Sequence, residues 1–154
     1  MILRLSQKLA TKIQVGKLCE MPLDENPLAD WSCHLFAAGR TQYVILMNTA
    51  AFYSCVMFGR GSTDDSSFIA RALDTIREFT ADDGKQFIYR KFIAPSSGTV
   101  SFAKALNRSV TGSMNDLIRF ATTWHIEDEL APHDVGFKLN DVLLSAIAPN
   151  KSEK

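Results

Sequence analysis

The sequence predicts an α+β fold, an antiparallel β-meander sheet packed by helices in the order β-α-β-β-β-α-β-α-α. Three observations lead there. Trp31 to Phe36, Gln42 to Asn48 and Phe52 to Phe58 are consecutive apolar runs, separated by short connectors at Ala38-Gly39-Arg40 and Thr49-Ala50-Ala51. Connectors that short favour antiparallel neighbours. Beyond them, Ile69, Ala72, Leu73, Ile76 and Phe79 recur at helical spacing, as do Met114, Leu117, Ile118, Ala121 and Trp124. With 154 residues, 46% hydrophobic and 22% charged, the chain can bury one core. Residues 1–150 are therefore read as a single domain and 151–154 as a frayed tail.

In chain order, Ile2 to Leu5 is a short strand and Ser6 caps a helix with Leu9 and Ile13 on one face. Gly16, Pro22, Asp24, Asn26 and Pro27 mark Val15 to Ala29 as an irregular connection. The run QYVILMN is apolar on both alternating faces, which places it mid-sheet under cover on both sides. Asn48 closes it either as a turn residue, the favoured role, or as a polar group pointing into a pocket. Ser66 or Ser67 starts the next helix, which ends near Gly84. Gln86 to Phe92 reads as a strand. Pro132 interrupts the chain before a last amphipathic helix through Leu139, Val142, Leu143, Ala146 and Ile147, stopped by Pro149.

Seventeen Lys and Arg balance seventeen Asp and Glu. Binding to long nucleic acid needs a surplus of cations, so a nucleic-acid role ranks third. Cys19, Cys33 and Cys55 are odd in number and widely spaced, which argues against a disulfide framework or zinc knuckle and suits a reducing cytosol. Arg4, Lys8 and Lys12 interrupt any signal-peptide core, and no apolar run is long enough to span a bilayer. The expectation is a cytoplasmic protein without a membrane partner.

The densest polar stretch is Asn107 to Asp116, NRSVTGSMND. Ser113 and Asp116 have the spacing of a capping box, with Ser113 as N-cap. Arg108 just upstream and the helix amides would suit an anionic or polar ligand. Nearly every helix needs its first amides satisfied, so capping takes precedence over ligand binding. Trp31 reads as a core anchor and Asp30 as a turn or cap residue. Arg4, among Ile2, Leu3 and Leu5, either reaches water or meets a carboxylate, Asp30 or Asp116. Cys33 and His34 are adjacent on a strand and point to opposite faces. His125, Glu127, Asp128, Glu129, His133 and Asp134 crowd one turn without a recognised ligand spacing, so no metal is expected. No Walker loop or dinucleotide fingerprint is present, and no cofactor is expected. A hydrolase would take Ser109 or Ser113 as nucleophile, His125 or His34 as base and Asp30 or Asp116 as orienter, but the nucleophile-elbow motif is missing.

These residues resemble a family of small bacterial proteins classed only as a domain of unknown function. The shared elements are the opening ILRLSQKLATKI, the L-x-D-W element Leu28-Ala29-Asp30-Trp31, the run VILMN ending at Asn48, and the R-S-V-x-G-S-M-N-D signature from Arg108 to Asp116. The resemblance spans roughly residues 1 to 120. Ala29 stands where the family usually has Gly, and the tail after Phe120 is longer than usual. The resemblance brings no activity. It nominates Asp30, Trp31, Asn48, Arg108, Ser109, Ser113, Asn115 and Asp116, to which the residues themselves add Arg4. It also implies an accessory protein, in some cases of mobile gene context. The reading is a non-catalytic module for a protein partner or a small polar or anionic ligand, with fifteen aromatic residues able to supply a homodimer interface. The alternative is an enzyme built on the Arg108–Asp116 segment.

Overall fold

The computed structural model describes residues 1–147. Strands β1 (Ile2–Leu5), β2 (Asp30–Ala38), β3 (Thr41–Asn48), β4 (Ser54–Phe58) and β5 (Ser101–Ala103) form one mixed sheet in the order β4-β3-β2-β1-β5. The meander β2-β3-β4 is antiparallel, with Cys33 opposite Leu46 and Leu46 opposite Cys55. A parallel half extends it, in which Leu3 pairs with Trp31 on one side and Phe102 on the other. The readings for Pro149 and the 151–154 tail lie outside the described residues.

Helix α1 (Gln7–Lys12) starts as expected, with Ser6 Oγ accepting from Leu9 N at 3.3 Å. Helix α2 (Asp65–Asp82) is capped by Asp64 rather than by Ser66 or Ser67, and Ser67 completes a capping box. Gly84, at φ +73°, turns the chain away after it. Gln86 to Phe92 is helical instead of a strand: α3 (Gln86–Ile88) continues into a π-helical turn (Tyr89–Ile93) and a 3-10 turn (Ala94–Ser96). Its apolar residues are strand formers, but no sheet edge is left for them. The short β5 fills the place beside β1, and Cys19 bridges onto Ala103 at the outer side of β5. Helices α4 (Arg108–Glu127) and α5 (Pro132–Ile147) complete the order, with Pro132 opening α5, where a missing amide hydrogen costs nothing.

The sheet is covered on both faces. Leu3, Leu5, Trp31, Cys33, Val44, Leu46, Cys55 and Met57 pack against Leu9 and Ile13 of α1 and Phe68, Ala72, Ile76 and Phe79 of α2. Phe36, Tyr43, Ile45, Met47 and Val56 pack against Val110, Met114, Leu117 and Ala121 of α4 and Val135 and Leu139 of α5. β3 is buried on both faces from Tyr43 to Asn48, as its unbroken apolar run requires. Trp124, expected in the core, is half-buried and stacks on exposed Phe120 with its centroid 5.7 Å away.

α5 closes the β4 edge. The Asn140 amide donates to Ser54 O and accepts from Ser54 N, both at 2.9 Å, copying a neighbouring strand's hydrogen bonds. Gly136 permits that approach. A Cβ there would meet Phe79 Cε1 at 2.7 Å and Cys55 Cα at 3.3 Å. Gly136→Ala is therefore expected to lower stability by about 1–3 kcal/mol, the usual range for an overpacked contact. Gly112→Ala, in open space within α4, should instead raise it by up to about 1 kcal/mol through helix propensity. Urea unfolding of the two variants beside the parent checks both signs.

Candidate functional site

Arg4 and Asp30 form a buried ion pair, 1% and 0% exposed, between the adjacent strands β1 and β2. Arg4 Nε donates to Asp30 Oδ1 and Nη2 to Oδ2, both at 2.9 Å. Its remaining hydrogens go to the carbonyls of Met21 (2.9 Å), Pro22 (3.0 Å) and Lys104 (3.1 Å). All five guanidinium donors are thus used. Asp30 also accepts from Asp24 N at 3.1 Å and Thr49 Oγ1 at 2.7 Å. Ser32 Oγ lies 2.8 Å from Thr49 Oγ1, whose own hydrogen is committed to Asp30, so Ser32 donates. Asn48 Nδ2 donates to Pro27 O and Asp30 O, and Asn48 Oδ1 accepts from Ala51 N. Trp31 is core, with Nε1 donating to Leu28 O at 2.8 Å. Arg4, Asp30, Trp31 and Asn48 therefore converge, and their polar groups are saturated by one another and by the backbone. Asp30 is an ion-pair partner rather than a mere turn or cap residue, and Arg4 meets it rather than Asp116.

The other nominated residues lie elsewhere. α4 begins at Arg108 with Asn107 as N-cap, its Oδ1 accepting from Val110 N at 2.9 Å. Ser113 is inside the helix and caps nothing, which corrects the capping-box reading. The apolar stripe explains why: Val110, Met114, Leu117 and Ala121 must share a face, so the helix has to start before Val110. Arg108, Ser109, Asn115 and Asp116 are exposed, and Asp116 pairs with Arg119 one turn on. Ser113 and Asp116 line an apolar groove with Phe52, Leu117, Phe120 and Leu143, apart from the Arg4 network. At 1.5 Å per residue, His125 lies about 18 Å along α4 from Ser113 and farther from Ser109, so it cannot serve either as a base.

A different cleft, of about 540 Å³, opens at the carboxyl ends of β1 and β5. These neighbouring parallel strands send their connections to opposite faces. β1 leads through Ser6 into α1 on the Trp31 face, and β5 leads through Lys104 and Ala105 to α4 on the Phe36 face. Strands that part in this way leave a crevice between their exits, the usual ligand position in open sheets. Its walls are Leu5, Ser6, Gln7, Gly16, Lys17, Leu18, His34, Lys104, Ala105 and Thr111. His34 is at the back because β1 ends at Leu5, opposite Cys33, so β2 loses that neighbour at His34. Its ring has no hydrogen-bond partner among the described residues. The nominated set missed Lys17 and Lys104, since nothing local in the sequence marks two lysines 87 residues apart as neighbours.

Burial lowers the His34 pKa from its ordinary 6.5. Burial also lowers that of His125, outweighing the hydrogen bond from Nδ1 to Leu130 O. The His125 ring stacks on Tyr43 at 3.8 Å, and its Nε2 has no partner among the described residues. Burial raises the Cys33 and Cys55 thiols, which leaves them protonated at neutral pH. His133 pairs with Asp82 of α2, and no three His, Cys, Asp or Glu side chains gather as a metal site among the described residues. No helix among them is long and apolar enough to cross a membrane.

The family model for the domain of unknown function DUF6933 matches residues 2–153. The chain belongs to this family. The match continues past Phe120, where the resemblance read from the sequence stopped, so the C-terminal helix lies inside the family region. No curated protein and no solved structure matches the chain.

Asp30→Asn in this DUF6933 protein keeps the shape of the side chain but leaves the guanidinium buried without its counter-charge. A loss of about 3–5 kcal/mol is expected. In a double-mutant cycle, Arg4→Met with Asp30→Asn should cost clearly less than the sum of the single changes. Denaturant unfolding measures both. The histidines set a pH dependence. With folded pKa values below 6.5, the unfolded chain takes up protons first as the pH falls. Stability should be full above about pH 6.5 and decline on acidification below it, and His125→Gln should flatten that decline in melts taken from pH 7.5 to pH 5.

Proposed function

We propose that this chain is a non-catalytic binding module of the cytosol, and that the cleft at the ends of β1 and β5 takes a small anionic ligand. One observation supports the reading above the others. Among the described residues the cleft walls carry Lys17 and Lys104 and no Asp or Glu, in a chain whose charges balance. Both lysines are exposed and neither has a carboxylate within 4.0 Å among the described residues. Ser6 and Thr111 add hydroxyls, and the neutral ring of His34 adds a hydrogen-bonding group at the back. Thr111 belongs to the first turn of α4, whose amides favour negative charge in front of them. The Arg4–Asp30 network is the frame: Arg4 holds the Lys104 carbonyl at 3.1 Å and so fixes one wall.

Orthophosphate or sulfate should raise the melting temperature by mass action, by roughly 5–10 °C at a hundredfold excess over Kd. Lys17→Ala with Lys104→Ala should abolish the rise and leave the unliganded melting temperature within about 2 °C, because both side chains are in solvent. Arg108→Ala, one turn from the cleft, should reduce it less. A thermal-shift series on the three proteins tests the reading. Equal shifts in the parent and the double lysine variant would refute it.

A further inference from the structure

Resting on that reading, we propose that the ligand carries a linear chain of phosphoryl groups, and that it runs from the Lys17–Lys104 cleft across the start of α1 into a second cleft beyond. The second cleft is lined by Gln7, Lys8, Thr11, Lys12, Leu35 and Gln42 and has a volume of about 450 Å³. Gln7 lines both, so the two hollows adjoin at the first residue of α1. Together their walls hold four lysines and, among the described residues, no carboxylate, although the chain has 17 acidic residues. None of the four ammonium groups has a carboxylate within 4.0 Å among the described residues, and only Lys12 reaches a neutral acceptor, Gln42 Oε1 at 3.2 Å. Four cations gathered without counter-charge repel one another, and a polyanion laid along them removes that repulsion.

Spacing and composition narrow the class. Lys8 and Lys12 are one helical turn apart on α1, with Cβ atoms about 5–6 Å from each other, a separation that successive phosphoryl groups can span. The walls contain no Phe, Tyr or Trp. Single-stranded nucleic acids are held largely by stacking on aromatic rings, so this surface offers charge without a platform for bases. A short polyphosphate, free or as the tail of a small molecule, fits both observations.

Calorimetric titration at fixed ionic strength, with orthophosphate, tripolyphosphate, a nucleoside triphosphate and a short oligodeoxythymidylate, tests the proposal on the whole chain. Tripolyphosphate should bind at least tenfold more tightly than orthophosphate. Lys8→Ala with Lys12→Ala should erase that advantage while leaving orthophosphate within about twofold, and Lys91→Ala, a cation outside both clefts, should change neither. A nucleoside triphosphate equal to tripolyphosphate supports recognition of the phosphoryl chain alone, and tighter binding supports a phosphoryl tail on a larger molecule. Equal affinity for orthophosphate and tripolyphosphate overturns the extended site but leaves the anion cleft standing. Binding of the oligonucleotide more tightly than tripolyphosphate overturns the choice of class. Binding of none of the four removes both this proposal and the reading beneath it.

Discussion

The buried pair of Arg4 and Asp30 is the interaction on which the arrangement of the loops depends. Removing two charges from water costs several kcal/mol per ion, and a bare pair would not recover it. Here the recovery is complete in hydrogen-bond terms, because five guanidinium donors meet a carboxylate and three carbonyls, while the carboxylate takes two further donors. An apolar pair of equal volume could stabilise the sheet as well. It could not set the direction of the Met21, Pro22 and Lys104 carbonyls, which belong to segments about 17 and 100 residues from Arg4. A planar guanidinium fixes angles as well as distances. In this protein the buried charge is best understood as a means of specifying where irregular backbone goes.

The cleft follows from that frame and from a difference in strand length. β1 has four residues and β2 has nine, so beyond Leu5 the longer strand continues without its neighbour. The exits of β1 and β5 then diverge to the two faces of the sheet. An opening is unavoidable there, because one connection cannot fill a gap that both leave. Small and polar residues line it where bulky apolar ones would have closed it. The opposite edge shows the contrast: the exposed side of β4 is sealed by the Asn140 amide and by Gly136 packed against Cys55.

Much of the fold was legible in the sequence because its signals are local. The meander, the doubly buried β3, the Ser6 cap and the stripes of α2 and α4 each reside within one segment, and all appear in the structure. Non-local features were harder to read. Gln86 to Phe92 has strand-like composition but no edge to join, and a three-residue strand at Ser101–Ala103 carries too little pattern to announce itself. For the site, Arg4, Asp30, Trp31 and Asn48 were among the nine positions named from the sequence, and an Asp30 partner for Arg4 was among the two options. What composition could not convey is that their polar groups are already satisfied. The cations of the cleft come from the connection after α1 and the exit of β5, and only the tertiary structure brings them together.

The segment NRSVTGSMND shows how a small error of register changes a functional reading. Asn107 and Ser113 are both good N-cap residues, and only Ser113 has an acidic residue three positions later. Local chemistry therefore favours the wrong cap. Packing decides otherwise, since Val110 joins Met114 and Leu117 against the sheet and the helix must already be formed at that point. Moving the start six residues toward the N-terminus has two consequences. The first turn moves to the end of the sheet where Lys104 and Thr111 border the cleft. Meanwhile Asn115 and Asp116 turn to the outer surface, where Asp116 is neutralised by Arg119. The helix start follows closely on the exit of β5, and the string Arg108 to Asp116 is mostly the solvated side of a helix.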